Sequence, residues 1–532
     1  KESIGWLNSF ENPNIKHALN GREVGIMGQG VDGFDETTNT VYEYQGCFFH
    51  GCPDCFDGDS INPVNKTKMA DLHQATIDRA TAVKNAGYNF VEIYACQWKK
   101  SALYKKFKNP EIIEALNPRD AFFGGRTECF KVKAEGNIQY IDVVSLYPTV
   151  QYYDAFPQGH PKKIYKPRFY NGNWFGFIKC KVLAPKNLYL PVLPVKIKVD
   201  GYEKLIFPLC VKCAKEQQPT CSHTDKERSF VGTWTTIEVR EAFSQGYIIE
   251  EIYEVWHFEH THDLWKGYVK NFLKIKLESS PHSFATKEEY AQYIREKLDI
   301  ELDLDKIESN PGRRAIAKNC LNNLWGRFAM RQNMPQTKLV SDCATFYNLL
   351  LDDKLQVLST LFLSDDMVQV NYKSKEEFVQ TSYNTNLYVA AYTTANARLR
   401  LYRQMSLLNR KVDYCDTDSI FFESDGTERV NIGDSLGEWT NELGDNTFIN
   451  KWLCTGPKSY YYKTNKNKEC IKIKGFTLHH RNAEKLTGKA MEEVIDGIRA
   501  KIEVTDTQIT RDKKTKNLVN KEVTKTFSYK FD

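Results

Sequence analysis

The chain has 532 residues, of which 41% are hydrophobic and 27% are charged. This composition is that of a globular protein and excludes fibrous, low-complexity and disordered chains, and the length predicts three or more structural units. The 73 Lys and Arg residues nearly balance the 68 Asp and Glu residues, so the net charge of +5 does not by itself indicate a nucleic-acid partner.

Three further expectations follow from the order of the residues. No run approaches 18 apolar residues without a charge, so we expect no membrane span and no membrane partner. The chain begins with Lys-Glu-Ser rather than with Met or a signal peptide, which predicts a piece of a longer reading frame. The 14 scattered Cys favour reduced thiols and an intracellular setting, without separating nucleus from virion.

The predicted elements begin with an α/β pattern in residues 1–115. Strand-like runs at 40–44 and 89–94 flank a helical stretch at 69–85 that ends near Gly87. Later elements are, in chain order, a strand at 139–144, an aromatic-rich and Pro-rich region with strand signals at 166–280, two helices at 285–335 separated by Asn310-Pro-Gly, a helix reaching to about 409, and a hairpin centred on 415–418.

Two of these elements carry acidic residues that predict a site. Asp142 ends a β-branched strand just before the chain turns at Pro148. Asp416 and Asp418 lie two residues apart in a predicted tight turn between buried strands. Carboxylates this close repel each other, so in a dry hairpin they need protonation or a cation, for which Mg²⁺ is the natural candidate. The alternative is a solvated turn.

A helix at 313–328 supplies the third motif. At 100° per residue it has a polar stripe beside an apolar stripe, formed respectively by Arg314, Lys318, Asn322 and Trp325 and by Ala317, Leu321, Leu324 and Phe328. We expect the apolar stripe to pack and the cations to face a ligand, the alternative being a solvated basic face. Gly326 within this pattern indicates that something large approaches the backbone there.

These three motifs, in this order, resemble motifs A, B and C of family-B DNA polymerases. The matching residues are Asp142-Val-Val-Ser-Leu-Tyr-Pro, Lys318-x-x-x-Asn-x-x-x-Gly and Tyr414-Cys-Asp-Thr-Asp-Ser. Phe122-Phe-Gly-Gly and Lys458-Ser-Tyr are similar to the Tyr-x-Gly-Gly and Lys-x-Tyr motifs of protein-primed members. The stretch Gly46-Cys-Phe-Phe-His-Gly-Cys resembles the DNA polymerases of Maverick/Polinton and related virus-like elements.

The resemblance implies an α/β and α+β multidomain protein, a right-hand polymerase preceded by a small α/β restriction-endonuclease-like domain. The implied ranges are 1–115 for the endonuclease-like domain, 116–165 for the first part of the palm, 166–284 for an insertion resembling the terminal-protein-binding region, 285–332 for the fingers, 333–376 for a second insertion, 377–455 for the second part of the palm, and 456–532 for the thumb.

The implied activity is template-directed addition of deoxynucleotides to a 3′-hydroxyl in replication of a virus-like or mobile DNA element. Its partners would be a DNA template and primer, deoxynucleoside triphosphates and a terminal protein. Two Mg²⁺ ions would be held by Asp142 and Asp418, with Asp416 completing the acidic cluster. The alternative is a catalytically decayed, element-derived protein that only binds DNA. The exonuclease strand of many relatives is not evident, so we do not predict proofreading by this chain.

The resemblance also assigns roles to other side chains. The backbone amides of Ser145 and Leu146 would meet the triphosphate. Lys318 would contact it as a catalytic cation, assisted by Arg314. Tyr147 resembles the steric gate against a 2′-hydroxyl, and Asn322 would line the nascent base pair. The expected DNA contacts are Gly124, Gly125, Arg126, Tyr414, Thr417, Lys458 and Tyr460, of which Tyr414 and Thr417 would support the hairpin.

Cysteine clusters predict zinc. Cys210-x-x-Cys213 and then Cys221-Ser-His223 offer four ligands within 14 residues, which fit either tetrahedral structural zinc or free thiols in a loop. The stretch from Gly46 to Cys55 is a second zinc candidate.

The front domain resembles very-short-patch-repair endonucleases. Asp32 is followed by Glu43-Tyr-Gln45, with His50 nearby, in the shape of an Asp, Glu-x-Lys nuclease core in which Gln45 replaces Lys. Three alternatives stay open: an active nuclease that binds Mg²⁺ through Asp32 and Glu43, a degenerate DNA-binding fold, and an unrelated structural domain.

Overall fold

The computed structural model describes residues 2–20, 23–108, 114–199, 201–379, 384–512 and 517–529. Within these ranges helices and sheets surround several hydrophobic cores, as the α/β and α+β multidomain prediction requires. None of the helices in the described part of the chain combines the length and the apolar character needed to cross a bilayer.

A small α/β unit forms the front of the chain. Its elements are α1 (Glu2–Asn8), β1 (Lys16–His17), β2 (Val24–Ile26), β3 (Gln29–Val31), β4 (Gly33–Asp35), β5 (Thr40–Gln45), α2 (Met69–Asn85), β6 (Asn89–Tyr94), α3 (Ala95–Lys100) and α4 (Tyr104–Phe107). Four strands form a sheet in the order β1-β4-β5-β6, in which β5 and β6 are parallel. The predicted strands and helix of this region are confirmed, and Trp6 and Trp98 lie in its core.

The following segment builds an antiparallel sheet. Its elements are β7 (Thr127–Cys129), β8 (Lys133–Val143), α5 (Leu146–Tyr153), β9 (Phe156–Tyr165), β10 (Gly176–Leu183), β11 (Val195–Val199), β12 (Tyr202–Ile206), α6 (Val211–Glu216), α7 (Asp225–Arg228), β13 (Phe230–Thr235), α8 (Thr236–Ser244) and β14 (Ile248–Thr261). The sheet order is β13-β10-β14-β9. Because β9 pairs with β14, this sheet already begins at Phe156, before the predicted boundary at residue 165.

A helical unit and a three-stranded sheet come next. Their elements are α9 (Lys266–Glu278), α10 (Lys287–Leu298), α11 (Pro311–Phe328), β15 (Gln336–Val340), α12 (Cys343–Leu351), β16 (Leu355–Ser364) and β17 (Met367–Ser374). The Asn310 side chain accepts a bond of 3.0 Å from the Arg313 N–H and so caps α11 at the predicted break. Leu273 on α9 and Leu321 on α11 share one core, so the helical unit starts before the predicted residue 285.

The last segment completes the central sheet. Its elements are α13 (Leu387–Leu408), β18 (Val412–Asp416), β19 (Ser419–Glu423), β20 (Trp439–Asn441), β21 (Ile449–Gly456), β22 (Ser459–Thr464), β23 (Glu469–Lys472), α14 (His480–Ala483), α15 (Gly488–Ile495), β24 (Ile502–Arg511) and β25 (Leu518–Phe527). The central sheet has the order β23-β22-β21-β8-β19-β18-β7, with β20 also paired to β8. β22 and β23 continue this sheet beyond residue 455, where we predict the palm to end.

Helix α13 ties the two sheets together. It is rich in Ala and buried along most of its length, which lets both sheets approach it closely. Arg398 is 3% exposed and donates two bonds, of 3.0 and 2.7 Å, to Oε1 of Glu238 on α8. It also donates to the carbonyl oxygens of Phe123 and Gly124, at 2.8 and 2.9 Å. The buried Arg398 thus positions the loop that contains Gly124 and Gly125, here called the glycine loop. This loop lies beside the β18–β19 hairpin that carries Asp416 and Asp418, here called the acidic hairpin.

Candidate active site

The central sheet brings the two acidic motifs together. In the antiparallel ladder of β8 and β19, Asp142 lies opposite Ser419, and the Val143 N–H donates a bond of 2.8 Å to the carbonyl oxygen of Asp418. The turn between β18 and β19 is tight, since Thr417 has a φ of 62° and the Asp418 N–H bonds to the Asp416 carbonyl at 2.7 Å. Residues 276 positions apart in the chain therefore become neighbours through strand pairing.

Burial, and after it electrostatic repulsion, raises the pKa of the carboxylates in this cluster. Burial, and then the charge of Asp418, raises the pKa of Asp142 to about 7. Burial also raises the pKa of Asp418, with Asp416 adding to the effect. Glu442, which the sequence analysis missed, adds negative charge near both groups from just beyond β20, where Thr440 pairs with Asp142. The oxygen-only donors and their mutual repulsion fit a hard divalent cation.

Asp416 differs from the other two carboxylates because protein groups already neutralise it. Lys458 Nζ lies 2.8 and 2.9 Å from its two oxygens, and the Thr127 hydroxyl donates to it at 3.0 Å. Asp416 is therefore held by its ion pair with Lys458. Asp142 and Asp418, in contrast, lie near other carboxylates that repel them.

The Lys458-Ser-Tyr460 motif is arranged differently from our expectation. We predicted both side chains on one face of a strand, but Lys458 lies before β22 with a φ of 60°. Tyr460 is 4% exposed and stacks on Trp452, with ring centroids 5.3 Å apart. The Tyr414 hydroxyl accepts a bond of 2.9 Å from the Lys458 N–H. Tyr414 thus supports the acidic hairpin, as expected, and the structure corrects Tyr460 from a DNA contact to a second buried support of it.

The glycine loop also packs against the hairpin. A Cβ on Gly125 would lie 2.6 Å from Thr417 Oγ1, so only glycine lets the turn come this close, whereas a Cβ on Gly124 would meet no atom within 4 Å. Arg126, predicted to bind a phosphate, is 1% exposed, and its side chain donates to Glu128 at 2.7 Å and to the Pro191 carbonyl at 2.7 Å. That prediction is wrong, because the guanidinium is turned into the protein.

A second side of the site is cationic. Ser145 has a φ of 55° and precedes α5, which begins at Leu146, so the chain bends sharply after β8. The first amides of a helix have no partner within the helix and favour anions. On α11, Arg314 and Lys318 are exposed on the predicted polar stripe, and Arg314 Nε donates to the Ser280 hydroxyl at 3.0 Å.

Lys276 is a cation of this side that the sequence analysis missed. Its Nζ lies 3.2 Å from the Ser145 hydroxyl. Burial, with Arg314 and Lys318 nearby, lowers the pKa of Lys276 to about 8. Lys276 follows Val269 and Leu273 at helical spacing on the buried stripe of α9, and a lysine on an apolar stripe is the signal that would have revealed it.

A row of aromatic rings, here called the aromatic wall, runs from Tyr147, near the acidic residues, to Trp325 on α11. The ring centroids of Tyr147 and Trp325 are 4.8 Å apart, and Phe122 follows at 6.4 Å from Trp325. Burial raises the pKa of Tyr147 to about 12, so its hydroxyl stays neutral. A Cβ on Gly326 would meet no atom within 4 Å, and Asn322 is half-buried one turn earlier on α11, so open space follows this wall.

The predicted zinc ligands of the antiparallel-sheet region lie together. The ligand atoms of Cys210, Cys213, Cys221 and His223 are all within 4.8 Å of one another. His223 Nδ1 is 3.5, 3.2 and 3.8 Å from the three sulfur atoms in that order. His223 Nε2 faces Glu216 at 3.5 Å, as the second nitrogen of a metal-binding imidazole commonly faces a carboxylate.

The candidate nuclease residues of the front unit also converge. Glu43 accepts bonds from Arg79 Nε at 3.0 Å and from Gln45 Nε2 at 3.3 Å. The Tyr44 N–H donates to Asp32 at 2.8 Å, and burial raises the pKa of both Asp32 and Glu43. A cavity of about 500 Å³ is lined in part by Glu43, Gln45, His50 and Arg79.

Comparison with known proteins gives one family. The model of the family described as DNA polymerase type B, organellar and viral, matches residues 66–408. Two proteins named probable DNA polymerase are 25% identical over 369 residues (Neurospora intermedia) and 26% identical over 386 residues (Podospora anserina). Each match covers 67% of this chain, which spans only 32% and 27% of those relatives.

Solved structures of phi29 DNA polymerase share the fold. Its complex with primer-template DNA gives a TM-score of 0.51 at 16% identity, covering 78% of this chain and 62% of that one. Its orthorhombic crystal form gives 0.51 at 16% identity, covering 88% and 72%. At this identity the likeness concerns the fold alone.

Proposed function

This chain belongs to the organellar and viral type B DNA polymerases, and we propose that it performs template-directed addition of deoxynucleotides to a primer 3′-hydroxyl. One observation carries the proposal: strand pairing sets Asp142 beside Asp418, Lys318 acts electrostatically on Asp142, and Lys276 lies against Ser145, three residues after Asp142. The phi29 DNA polymerase, whose fold this chain shares, has been solved with primer-template DNA and incoming nucleotide substrates. We propose DNA and deoxynucleotides as partners here too.

Divalent cations, for which Mg²⁺ is the natural choice, would be held by Asp142 and Asp418. When bound, such ions activate the attacking hydroxyl and stabilise charge on the attacking and leaving oxygens. The carboxylates supply only oxygen atoms, and their repulsion favours a cation between them. Lys458 keeps Asp416 neutralised and thereby holds the hairpin in shape.

The remaining residues orient the nucleotide. Lys276, Lys318 and Arg314 surround the bend at Ser145, where the amides of Ser145 and Leu146 would meet a triphosphate. By the resemblance of motif B, Lys318 would give a proton to the departing pyrophosphate.

Tyr147 and Asn322 would act on the sugar and the base pair. The Tyr147 ring packs against Trp325, and there it would exclude a ribose 2′-hydroxyl. Asn322, on the same helix as Trp325, would line the nascent base pair. Lys458 would reach the primer near its 3′ end.

Protein priming completes the proposal. The phi29-like fold and the Lys458-Ser-Tyr460 motif support a terminal protein as the primer donor in replication of a virus-like or mobile element. Two units lie in the long intervals between the motifs: the sheet β13-β10-β14-β9 and the sheet β15-β17-β16. These are the surfaces where we place the terminal protein and displaced DNA. The Cys210, Cys213, Cys221 and His223 cluster would hold structural Zn²⁺ beside the first of them.

Primer extension tests the polymerase. With Mg²⁺ and the four deoxynucleotides, the chain should extend a primed template, and Asp418→Asn should abolish extension. Asp365→Asn, an exposed aspartate in the turn between β16 and β17, is the matched control and should be as active as the unaltered chain. DNA binding without extension, unaffected by Asp418→Asn, would instead support a decayed DNA-binding protein.

A second candidate function, DNA cleavage by the front unit, has one observation in its favour. The expected nuclease core has a Lys two residues after its Glu, and this chain has Gln45 at that position. Arg79, which pairs with Glu43, supplies a positive charge in its place. If Asp32, Glu43 and His50 act on DNA with Mg²⁺, duplex DNA should be nicked, and Asp32→Ala should remove nicking while leaving primer extension intact. Equal nicking by both proteins would reject the nuclease.

A further inference from the structure

Four thiols meet in the front unit, and none of them belongs to the three sites described above. Cys47, Cys52 and Cys55 lie in the loop that follows β5, and Cys96 lies in the first turn of α3. Their sulfur atoms are all within 4.8 Å of one another, and all four are free cysteines. The sulfur atoms of Cys52 and Cys96 are 3.7 Å apart, a contact far longer than the roughly 2.05 Å of a disulfide bond.

The parallel pairing of β5 and β6 explains why Cys96 joins residues 41 or more positions away. Gln45 lies opposite Tyr94 at the end of that ladder, so Cys47 and Cys96 each stand two residues beyond a matched pair. The Cys96 N–H donates to the Cys47 sulfur at 3.3 Å, and such a bond stabilises a thiolate.

The loop itself is folded tightly enough to present three sulfurs to one point. The Cys52 N–H bonds to the Cys47 carbonyl, and the Cys55 N–H to the Cys52 carbonyl, both at 3.1 Å. Gly51 has a φ of 57°, and a Cβ there would lie 2.1 Å from the Met69 carbonyl oxygen. The loop is thus pressed against the start of α2, with no room for a side chain at Gly51.

We propose that Cys47, Cys52, Cys55 and Cys96 bind one Zn²⁺ ion as a closed, structural four-thiolate site. Four sulfur donors at this separation match the soft, tetrahedral coordination of zinc, and they leave no open position for a substrate. The ion ties the loop to the β6–α3 junction. It thereby positions His50, whose Nδ1 lies 3.2 Å from the Thr76 hydroxyl on α2.

Zinc analysis of the whole chain tests the site. Cys213→Ser first disables the other cluster, so that the metal counted belongs to the front unit. In that background we expect one zinc ion per chain by elemental analysis, and Cys96→Ser should remove it. Cys96→His, which keeps a zinc ligand, should retain it. Cys343→Ser, which changes an exposed cysteine on α12, should retain it as well.

A second measurement tests the site even if the Cys96→Ser chain does not fold, because it does not use that variant. The Cys213→Ser chain, stripped of metal and given Co²⁺, should develop the strong thiolate-to-cobalt absorption of a four-sulfur site. Absence of zinc and of this absorption would overturn the proposal. Zinc retained in a folded Cys96→Ser chain, or a disulfide between two of the four cysteines in the reduced, purified protein, would also overturn it.

Discussion

At the scale of single residues, the site depends on side chains whose protonation is set by burial. Lys276 is inserted between Ser145 and the cations of α11, and its ammonium lies against a hydroxyl rather than a carboxylate. Among the residues that the structure describes, no carboxylate pairs with this ammonium, so an anionic ligand could supply the missing charge.

Lys276→Ala should weaken nucleotide use. A hydrogen bond to a charged group contributes about 1.5–3 kcal/mol, so we expect kcat/KM for deoxynucleotides to fall roughly 10- to 150-fold. Lys274→Ala, two residues earlier on α9, is the control and should change kcat/KM little. An unchanged KM and kcat in Lys276→Ala would contradict the assignment.

The lowered pKa of Lys276 makes a separate prediction about pH. Because the pKa is about 8 in the free protein, the ammonium is charged below that value and loses its charge as pH rises through it. We therefore expect kcat/KM for deoxynucleotides to decline above pH of about 8. In Lys276→Arg, which stays charged, that decline should disappear from the pH profile.

Tyr147 is expected to select the sugar. Its ring is held by Trp325, and removing it opens the space where a 2′-hydroxyl would lie. Tyr147→Ala should lower the preference for deoxynucleotides over ribonucleotides by about 100-fold or more, as expected when an excluding contact is lost. Tyr153→Ala, on the same helix but 44% exposed, should keep the preference. Separate kcat/KM values for each nucleotide type provide the measurement.

At the scale of elements, the acidic hairpin is supported from three sides. Gly125 and Arg126 pack behind its turn, Tyr414 and Tyr460 fill the space beneath it, and Lys458 neutralises Asp416. Arg126 and Tyr460, which the sequence predicted as DNA contacts, are therefore structural here, because a turn carrying two carboxylates needs rigid packing to keep them at one point.

Gly125→Ala tests that packing. The added Cβ would lie 2.6 Å from Thr417 Oγ1 and must push the turn away, at a cost of about 1–3 kcal/mol. We expect a lower midpoint of thermal unfolding and a loss of primer extension. Gly124→Ala, whose Cβ would meet no atom within 4 Å, should leave the unfolding midpoint unchanged. Equal unfolding midpoints for the two variants would show that the turn can move away from Gly125 at little cost, and would contradict the prediction.

The ion pair between α13 and α8 is a second element-scale feature. Arg398 and Glu238 have side chains 3% and 1% exposed, so Arg398→Ala leaves a buried carboxylate unpaired and should cost about 3–5 kcal/mol. Arg403→Ala breaks a pair with Glu241 in which the arginine is 63% exposed, and should cost at most about 1 kcal/mol. Denaturation midpoints of the two variants measure the difference.

At the scale of the whole molecule, we expect local charge rather than net charge to govern the binding of phosphates. The net charge is only +5, yet Lys276, Arg314 and Lys318 converge on one region. Phosphate contacts release counter-ions, so affinity for a primed template should fall linearly on a plot of log affinity against log salt concentration. Titrations between low and physiological salt provide the test, and Lys458→Ala, which removes the proposed primer contact, should reduce the slope by about one.

Several parts of this protein follow from its sequence without coordinates. Local patterns placed α2, α11 and the β18–β19 hairpin, because hydrophobic periodicity and caps such as Asn310 act over a few residues. The three motifs and their order identified the family, which the family match over residues 66–408 confirms. The resemblance to motifs A and C is what predicts that the carboxylates of Asp142 and Asp418 share one site.

Only the tertiary structure decided the rest. Lys276 joins the site, Cys96 completes the thiol cluster, and Arg126 and Tyr460 turn inward, all through contacts between residues distant in the chain. The same holds for the sheet boundaries, since β9 and β22 take partners that no local pattern specifies. Long-range strand pairing and packing set which face of a residue meets water, and sequence spacing carries that information only within a single helix or strand.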